Sequence, residues 1–598
     1  MRVNRRRFVH SLVALPLASK AARGFFDGGH DPDGGQDAFK VSAFDLRDVR
    51  LLPGPLLTQY ERTRDFYFNV DDDAILKGFR EIAGLPAPGN EMGGWCARDS
   101  SEVFGQWLSG MARIARAHND TAIKDKAVSL MTEWGRTLTG RNASGIAYYT
   151  ERKGHYLYDK NVGGLTDMAL YAEVSDAWPL LEKITDWAEV NLSRQRMLAT
   201  SGQRQANFDG HSMEWYTLSE NLYRAAAASG QSRYQTFGDV WRYEQYWSKF
   251  YDTPAPHDAH GVHAYSHLNT FNSAAMAYAA RRDPRYLKAA ENAFDYFRST
   301  QCYATGGYGP AETLVTGNEL GASLEMRSDS AECPCGAWGG FKLSQYLTML
   351  TGQARFGDLA ELLIYNVMLP ALPMDGNGKT FYYADYRVGG GMKTYRWDTW
   401  PCCSGTYIQN VASYTNFIYY QDHQSLFVNL YVPSEVTWKS MLVRQTSTYP
   451  ESDNIMFRIQ GAEPVAGSLR FRIPGWCDEA TLDVNGERQT ISCTPGTWAT
   501  IARTWRDGDT VKLTLPMKLR TSAIDTYHPG RIAVMAGPVV LAEDGRTHTR
   551  FSPSPESLEK QLLAGDHPLE FTVAGAKNRF RPFYSFEENV PYWMYIDI

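Results

Sequence analysis

The sequence predicts a mainly α protein with β structure towards its C-terminal end: an (α/α)6 barrel, in which helix pairs close into a ring, followed by a β-sandwich. Three observations lead there. Apolar residues recur at helical spacing from about residue 100 to about residue 420. The stripes come as hairpins, one roughly every 35–50 residues, with turn residues between them. After about residue 424 the hydrophobic period drops to two.

Taken in order, the N-terminus is a targeting segment rather than fold. Asn4-Arg5-Arg6-Arg7-Phe8-Val9 precedes a short apolar run, Ser11 to Ala18, and then Lys20. This pattern over residues 1–23 is that of a twin-arginine export signal and implies a periplasmic or secreted protein. Residues 24–38 form a Gly/Asp linker. No other apolar stretch is long enough to span a membrane.

Residues 39–423 carry the helices. Phe104, Trp107, Leu108, Met111 and Ile114 share one helical face, and similar stripes recur near 122–138, 163–173, 178–191, 217–228, 233–250, 267–281, 284–300, 338–351 and 356–369. His118-Asn119-Asp120, Ser229-Gly230-Gln231, Arg282-Asp283-Pro284 and Thr351-Gly352-Gln353 are turns. An open solenoid is the other way to stack such hairpins. The long irregular inserts 304–332 and 371–403 fit a barrel with one functional face better. Strands follow at Ser425–Val432, Ser468–Pro474 and Thr510–Leu515, with hairpin turns at Asn485-Gly486 and Asp507-Gly508, giving a sandwich over 424–540. The aromatic segment 541–598 is expected to pack back onto it.

Bulk properties narrow the function. The chain is 43% hydrophobic and 21% charged, with net charge −6. No basic stripe is present to neutralise phosphates, which argues against a nucleic-acid partner. Sixteen Trp and 35 Tyr suit either a large core or the aromatic faces of a sugar cleft.

The most informative residues are two tight cysteine pairs, Glu332-Cys333-Pro334-Cys335 and Cys402-Cys403. Thiolates crowded with a glutamate suit Zn2+. Export in the folded state would let the metal be loaded before the thiols meet an oxidising compartment. A disulfide between the neighbours Cys402 and Cys403 would be strained, so ligation explains them better. Spacing alone favours a structural zinc closed by four of the five available ligands. A catalytic site needs one sulfur that can attack. Cys96, Cys302, Cys477 and Cys493 are scattered and read as small buried hydrophobes.

Among the carboxylates, Glu312 ends the glycine-rich segment Thr305-Gly306-Gly307-Tyr308-Gly309-Pro310-Ala311 and is a candidate general acid/base, with Glu319 and Glu325 as rivals. His263 and His267 stand at i, i+4 where a helix begins, positioned for hydroxyl recognition or for burial. His211 and Tyr158-Asp159-Lys160 sit at further helix starts that line a barrel cleft.

These segments together resemble the bacterial glycoside hydrolase family 127, the β-L-arabinofuranosidases once grouped as a domain of unknown function. The resemblance runs over most of residues 40–540. Its most specific pieces are Gly94-Trp95 to Trp107, Glu214 to Leu218, His263 to Thr270, Thr305 to Glu312, Glu332 to Gly336, Tyr365-Asn366, and Trp400-Pro401-Cys402-Cys403-Ser404-Gly405 running on to the strand at Val428–Tyr431. It implies a zinc-dependent retaining hydrolase of carbohydrate. Glu332, Cys335, Cys402 and Cys403 would hold the metal. Cys402 would be the nucleophile and Glu312 the acid/base. His263, His267, Lys160, His211 and Tyr383 would bind substrate. The sequence departs from the family in three places: the ligand glutamate there stands two residues before the cysteine, and Cys333 fills that position here, so Cys333 could replace Glu332; the loop between Gly307 and the acid is shorter, which leaves Glu319 as the alternative to Glu312; and Lys160 stands near the place of a sugar-binding histidine. Two rival functions remain, a polysaccharide lyase built on a helical toroid and a non-catalytic glycan-binding protein with structural zinc. Nothing in the sequence sets an oligomeric state.

Overall fold

The computed structural model describes residues 38–138, 154–194, 214–545 and 557–598. The export signal, the linker up to residue 37 and His211 lie outside them.

Twelve helices of the described residues build the barrel: α1 (Pro55–Asn69), α2 (Phe104–His118), α3 (Thr121–Thr137), α4 (Gly154–Leu170), α5 (Ala177–Asn191), α6 (Leu218–Ser229), α7 (Ser232–Val240), α8 (Ala264–Arg281), α9 (Pro284–Tyr296), α10 (Cys333–Thr351), α11 (Gly357–Leu363) and α12 (Cys402–Ala412). The even-numbered helices form the inner ring. Each packs on the next, and α12 returns to α2, which closes it. The odd-numbered helices form the outer layer, each against an inner partner. Local chemistry sets the ends. The Asp120 side chain accepts from Ile123 N to start α3, and Asp283 caps α9 ahead of Pro284. Asn119, Gly230 and Gly352 stop α2, α6 and α10 in the left-handed conformation. The inner helices α2 and α4 approach closely at glycines: a Cβ on Gly105 would lie 2.1 Å from the Lys160 carbonyl oxygen, and one on Gly164 2.3 Å from the Gly105 oxygen. That contact fixes where Lys160 stands.

Three sequence expectations differ here. The cysteine pair 402–403 opens a helix at the end of the 371–403 insert, with Pro401 at its N-cap, and the strand expected over Ser425–Val432 ends at Val428. The stripe at 233–250 is broken at Trp241–Tyr243 into α7 and a short turn.

The sandwich has two sheets. One orders Ser42–Ala43, Tyr419–Gln421, Ser425–Val428, Val465–Arg472 and Trp498–Trp505; the other runs from Glu487–Arg488 through Thr510–Thr514 and Asn454–Gln460 to Ser434–Trp438 and Val49–Leu51. The chain segment before the barrel thus adds an edge strand to each sheet, with Val49 opposite Val436 and Ser42 opposite Gln421. Strands this short carry no period-two signal. A third sheet spans Leu519 to Asp597. The expected boundary at 540 falls inside it, because Arg531–Ala536 pairs with Val539–Asp544. Residues 541–598 therefore complete a sheet with its own core of Val534, Leu541, Leu562 and Phe580, instead of merely covering the sandwich.

Arg472 ties barrel to sandwich. It is fully buried; its Nη1 lies 2.5 Å from Asp358 Oδ1, its Nη2 2.9 Å from Glu361 Oε1, and its Nε donates to the Asn429 carbonyl. Glu361 also accepts from Tyr449 Oη at 2.6 Å and Trp476 Nε1 at 3.0 Å. Arg472→Met would strand the buried Glu361 and the partly buried Asp358, at a cost of about 3–5 kcal/mol. The expected reading is a lowered urea midpoint at pH 7. A midpoint matching wild type would show that the pair is replaceable by apolar packing.

Candidate active site

The inner helices α10 and α12 are neighbours in the ring, so their N-terminal turns bring the two cysteine pairs together. Glu332 precedes α10 on a short ladder, Ala331–Glu332 against Tyr383–Ala384, which places it beside the same turns. Cys335 Sγ lies 3.4 Å from Cys403 Sγ and 3.5 Å from Cys402 Sγ. Glu332 Oε1 lies 3.7 Å from Cys402 Sγ and 3.6 Å from Cys403 Sγ. One ligand atom from each of Glu332, Cys335, Cys402 and Cys403 falls within 4.8 Å of the others. Cys333 points away and donates to the Ala331 carbonyl at 3.6 Å. The spacing left Cys333 and Glu332 as alternatives; the structure brings Glu332 into the cluster and leaves Cys333 out.

The cluster's electrostatics are those of a cation site. Hydrogen bonds from the Cys335 and Cys403 thiols, with a further one from Tyr382, hold the Cys402 thiol well below its ordinary range against burial. Burial pushes Cys335, Cys403 and Glu332 well above theirs. Protons alone would satisfy one thiolate and leave the rest neutral; a divalent cation lets all four be anions. Glu332 Oε2 is buried without a hydrogen-bond partner among the described residues, an orphan acceptor at the cluster. Three thiolates and a carboxylate suit Zn2+ in charge and softness.

Glu312 lines the same cleft as this cluster, and one ligand atom from each of His263, Glu312 and Glu332 falls within 4.8 Å of the others. Gly309, at φ +79°, lets its loop close onto the start of α8, where a Cβ would lie 2.4 Å from the Ala264 Cβ. His263, the N-cap of α8, accepts at Nδ1 from Ser266 N, and its Nε2 lies 3.1 Å from Glu312 Oε2. The Tyr383 hydroxyl donates to Glu312 Oε1, and Arg396 donates to Tyr383 Oη at 2.9 Å. Burial raises the Glu312 carboxyl, but the His263 and Tyr383 hydrogen bonds outweigh it and hold it at about 2. His263 moves the other way: burial lowers it, and the Glu312 bond more than compensates. Ala311 and Glu312 both sit at positive φ, +50° and +57°, and so do Glu214 and Trp400. Such strain persists where the surroundings over-determine it, as they do at functional sites.

The remaining expectations divide. Lys160 reaches the cleft, with Nζ 3.4 Å from Glu214 Oε2 and 4.4 Å from the Tyr156 ring. His267 does not: its Nδ1 donates to the His263 carbonyl at 2.9 Å, and its ring is boxed by Tyr216, Tyr243 and Tyr246. Helical phase made it look like a partner of His263, but His263 is a cap outside the helix. Burial drops the His267 imidazole to about 3, so it is a neutral core group. Glu319 is exposed and caps its own turn through Thr316 N, and Glu325 is exposed and pairs with Arg531. Of the three candidate glutamates, the structure places Glu312 alone at the cleft. The sequence reading gave no role to Tyr382, whose Oη lies 3.3 Å from Cys402 Sγ, to Arg396 stacked over it, or to Tyr265. Tyr382 and Arg396 stand on the irregular insert 371–403, which carries no periodic signal, and Tyr265 lies on α8 inside the His263–Thr270 segment.

The β-L-arabinofuranosidase GH127 catalytic-domain model matches residues 48–416, and the middle-domain model matches residues 425–517. Among solved structures, a GH127 β-L-arabinofuranosidase from Geobacillus stearothermophilus T6 superposes with TM-score 0.69 at 19% identity, covering 92% of this chain and 99% of that one. A second GH127 β-arabinofuranosidase gives TM-score 0.70 at 17% identity, covering 94% and 98%. A third, described as a glycoside hydrolase, gives 0.66 at 16%, covering 96% and 99%. At these identities the likeness establishes the fold. A comparison with curated protein sequences gave no match.

Proposed function

The chain belongs to the glycoside hydrolase family 127 β-L-arabinofuranosidases, and we propose that it is an exported, zinc-dependent retaining hydrolase of β-L-arabinofuranosides or a related plant cell-wall sugar. The observation that carries the reading is one cleft lined by both Cys402, whose thiol is depressed, and the hydrogen-bonded pair Glu312–His263.

Glu332, Cys335, Cys402 and Cys403 would hold the metal. When bound, Zn2+ supplies the positive charge that keeps these sulfurs deprotonated at neutral pH. The rest is done by side chains. Cys402 Sγ attacks the anomeric carbon as the glycosidic C–O bond breaks, and the Glu312–His263 pair gives its proton to the leaving oxygen. Sugar and sulfur are then joined by a C–S bond. Glu312 accepts a proton from water, the water oxygen attacks the same carbon, and the thiolate departs. Two displacements retain the anomeric configuration. Tyr383 and Arg396 orient Glu312, and Tyr382 donates to the sulfur while it carries charge.

The test is metal content with product stereochemistry. The mature protein is expected to hold one zinc per chain, to lose hydrolysis of an aryl β-L-arabinofuranoside on chelation, and to regain it with added Zn2+. Proton NMR at early times should show the β-anomer first. First-formed α-anomer, or full activity without metal, would sink the reading. Export rests on the Arg5–Arg7 pattern; lysines at those three positions should strand the protein in the cytoplasm.

A further inference from the structure

The cleft also carries a charged pair that the mechanism above leaves unused. Lys160 and Glu214 are 6% and 9% exposed, and both line the cleft that holds Cys402 and Glu312. Their contact is loose. Nζ to Oε2 is 3.4 Å, against about 2.7–2.9 Å for a charge-assisted hydrogen bond. An ammonium carries three donors and a carboxylate about four acceptor positions, so a single long contact leaves capacity on both groups.

Each group is nonetheless held in place. Lys160 stands where α2 and α4 touch at Gly105, over the Tyr156 ring. Its other carboxylate neighbour, Asp159 at 3.8 Å, is occupied by Thr217 Oγ1 at 3.0 Å and Asn221 Nδ2 at 2.9 Å. Glu214 sits in the left-handed region at φ 52°, where its carbonyl accepts from the Thr217 N–H at 3.0 Å. Strained backbone thus holds a carboxylate beside a fixed ammonium, and both residues line the substrate cavity.

We propose that Lys160 and Glu214 form the specificity-determining pair of this site, reading two neighbouring hydroxyls of the sugar ring: one hydroxyl oxygen accepts from the ammonium, and the other hydroxyl donates to the carboxylate. The inference rests on the glycosidase reading above and deepens it. Because Glu214 neutralises the lysine, the ligand is a neutral diol. A carboxylate- or sulfate-bearing ring would meet Glu214 as a like charge.

The experiment compares kcat/KM for p-nitrophenyl β-L-arabinofuranoside with its 2-deoxy and 3-deoxy analogues, in wild type, Glu214→Gln and Lys160→Met. Each parent-to-analogue ratio is taken on one preparation, so the active fraction cancels, and intrinsic effects of deoxygenation cancel between proteins. Wild type should prefer the parent over at least one analogue by about 100-fold or more, and the variants by about 10-fold or less. Glu214→Asp, which keeps the charge but withdraws it, should fall between them and serves if Glu214→Gln fails to fold. Ratios unchanged in the variants, or close to one in wild type, would overturn the pair while leaving the hydrolase intact. No turnover of any furanoside by wild type would overturn the arabinofuranoside reading and this proposal with it.

Discussion

Cys402→Ser is expected to lower kcat/KM on an aryl β-L-arabinofuranoside by about 10^4-fold or more, with the fold retained. A serine hydroxyl in the same place is a far weaker acid, and its surroundings are built for sulfur. Cys402 opens α12, where the helix N-terminus favours an anion, and the Cys335 and Cys403 thiols and the Tyr382 hydroxyl all reach its sulfur. Cys403→Ser is the comparator. Its sulfur is wholly buried while that of Cys402 is partly open, so its loss should act through metal content more than through the chemical step. Near-ultraviolet circular dichroism and zinc analysis on both variants separate the two effects. Residual Cys402→Ser activity above about 1% would remove the cysteine nucleophile.

Glu312→Gln should cost about 10^2- to 10^4-fold, and the size should depend on the leaving group. A nitrophenolate leaves with little help, so its cleavage suffers least and the second step becomes limiting. Natural alcohol leaving groups suffer most. Azide should restore turnover of the nitrophenyl substrate and give the β-azide. The pH profile follows from the same pair. Its resting proton sits on His263, whose affinity for it is raised by Glu312, so the pair stays loaded through the ordinary histidine range and is emptied only above it. kcat/KM is therefore expected to fall on an alkaline limb lying above the ordinary imidazole value, and His263→Gln should move or abolish that limb. Equal losses on good and poor leaving groups would assign Glu312 a structural part.

Much of this was legible because it was local. The 3.6-residue stripes set the barrel helices, and the two cysteine pairs with a glutamate announced the cluster without any knowledge of which helices adjoin. What escaped was set by tertiary contacts. Cys333 and Glu332 are adjacent, and only the turn into α10 decides which of them faces the cluster. His263 and His267 share a helical phase, yet one caps the helix over Glu312 and the other is shut in by tyrosines. Glu214 was quoted as a motif residue, but its partnership with Lys160 depends on α4 and α6 lying side by side. The strands at Ser42 and Val49 were invisible because two or three residues cannot display a period.

Those two early strands have a kinetic consequence. Val49–Leu51 leaves the ribosome about 385 residues before its partner Ser434–Trp438. At roughly 5–20 residues per second, it waits about 20–80 s. Neither sandwich sheet can take up its early edge strand until the barrel has been made, because the barrel lies between the two halves of each in the chain. Joining the start of the chain to strands beyond the barrel is a long-range closure of the slow kind, and it cannot precede the synthesis of the barrel.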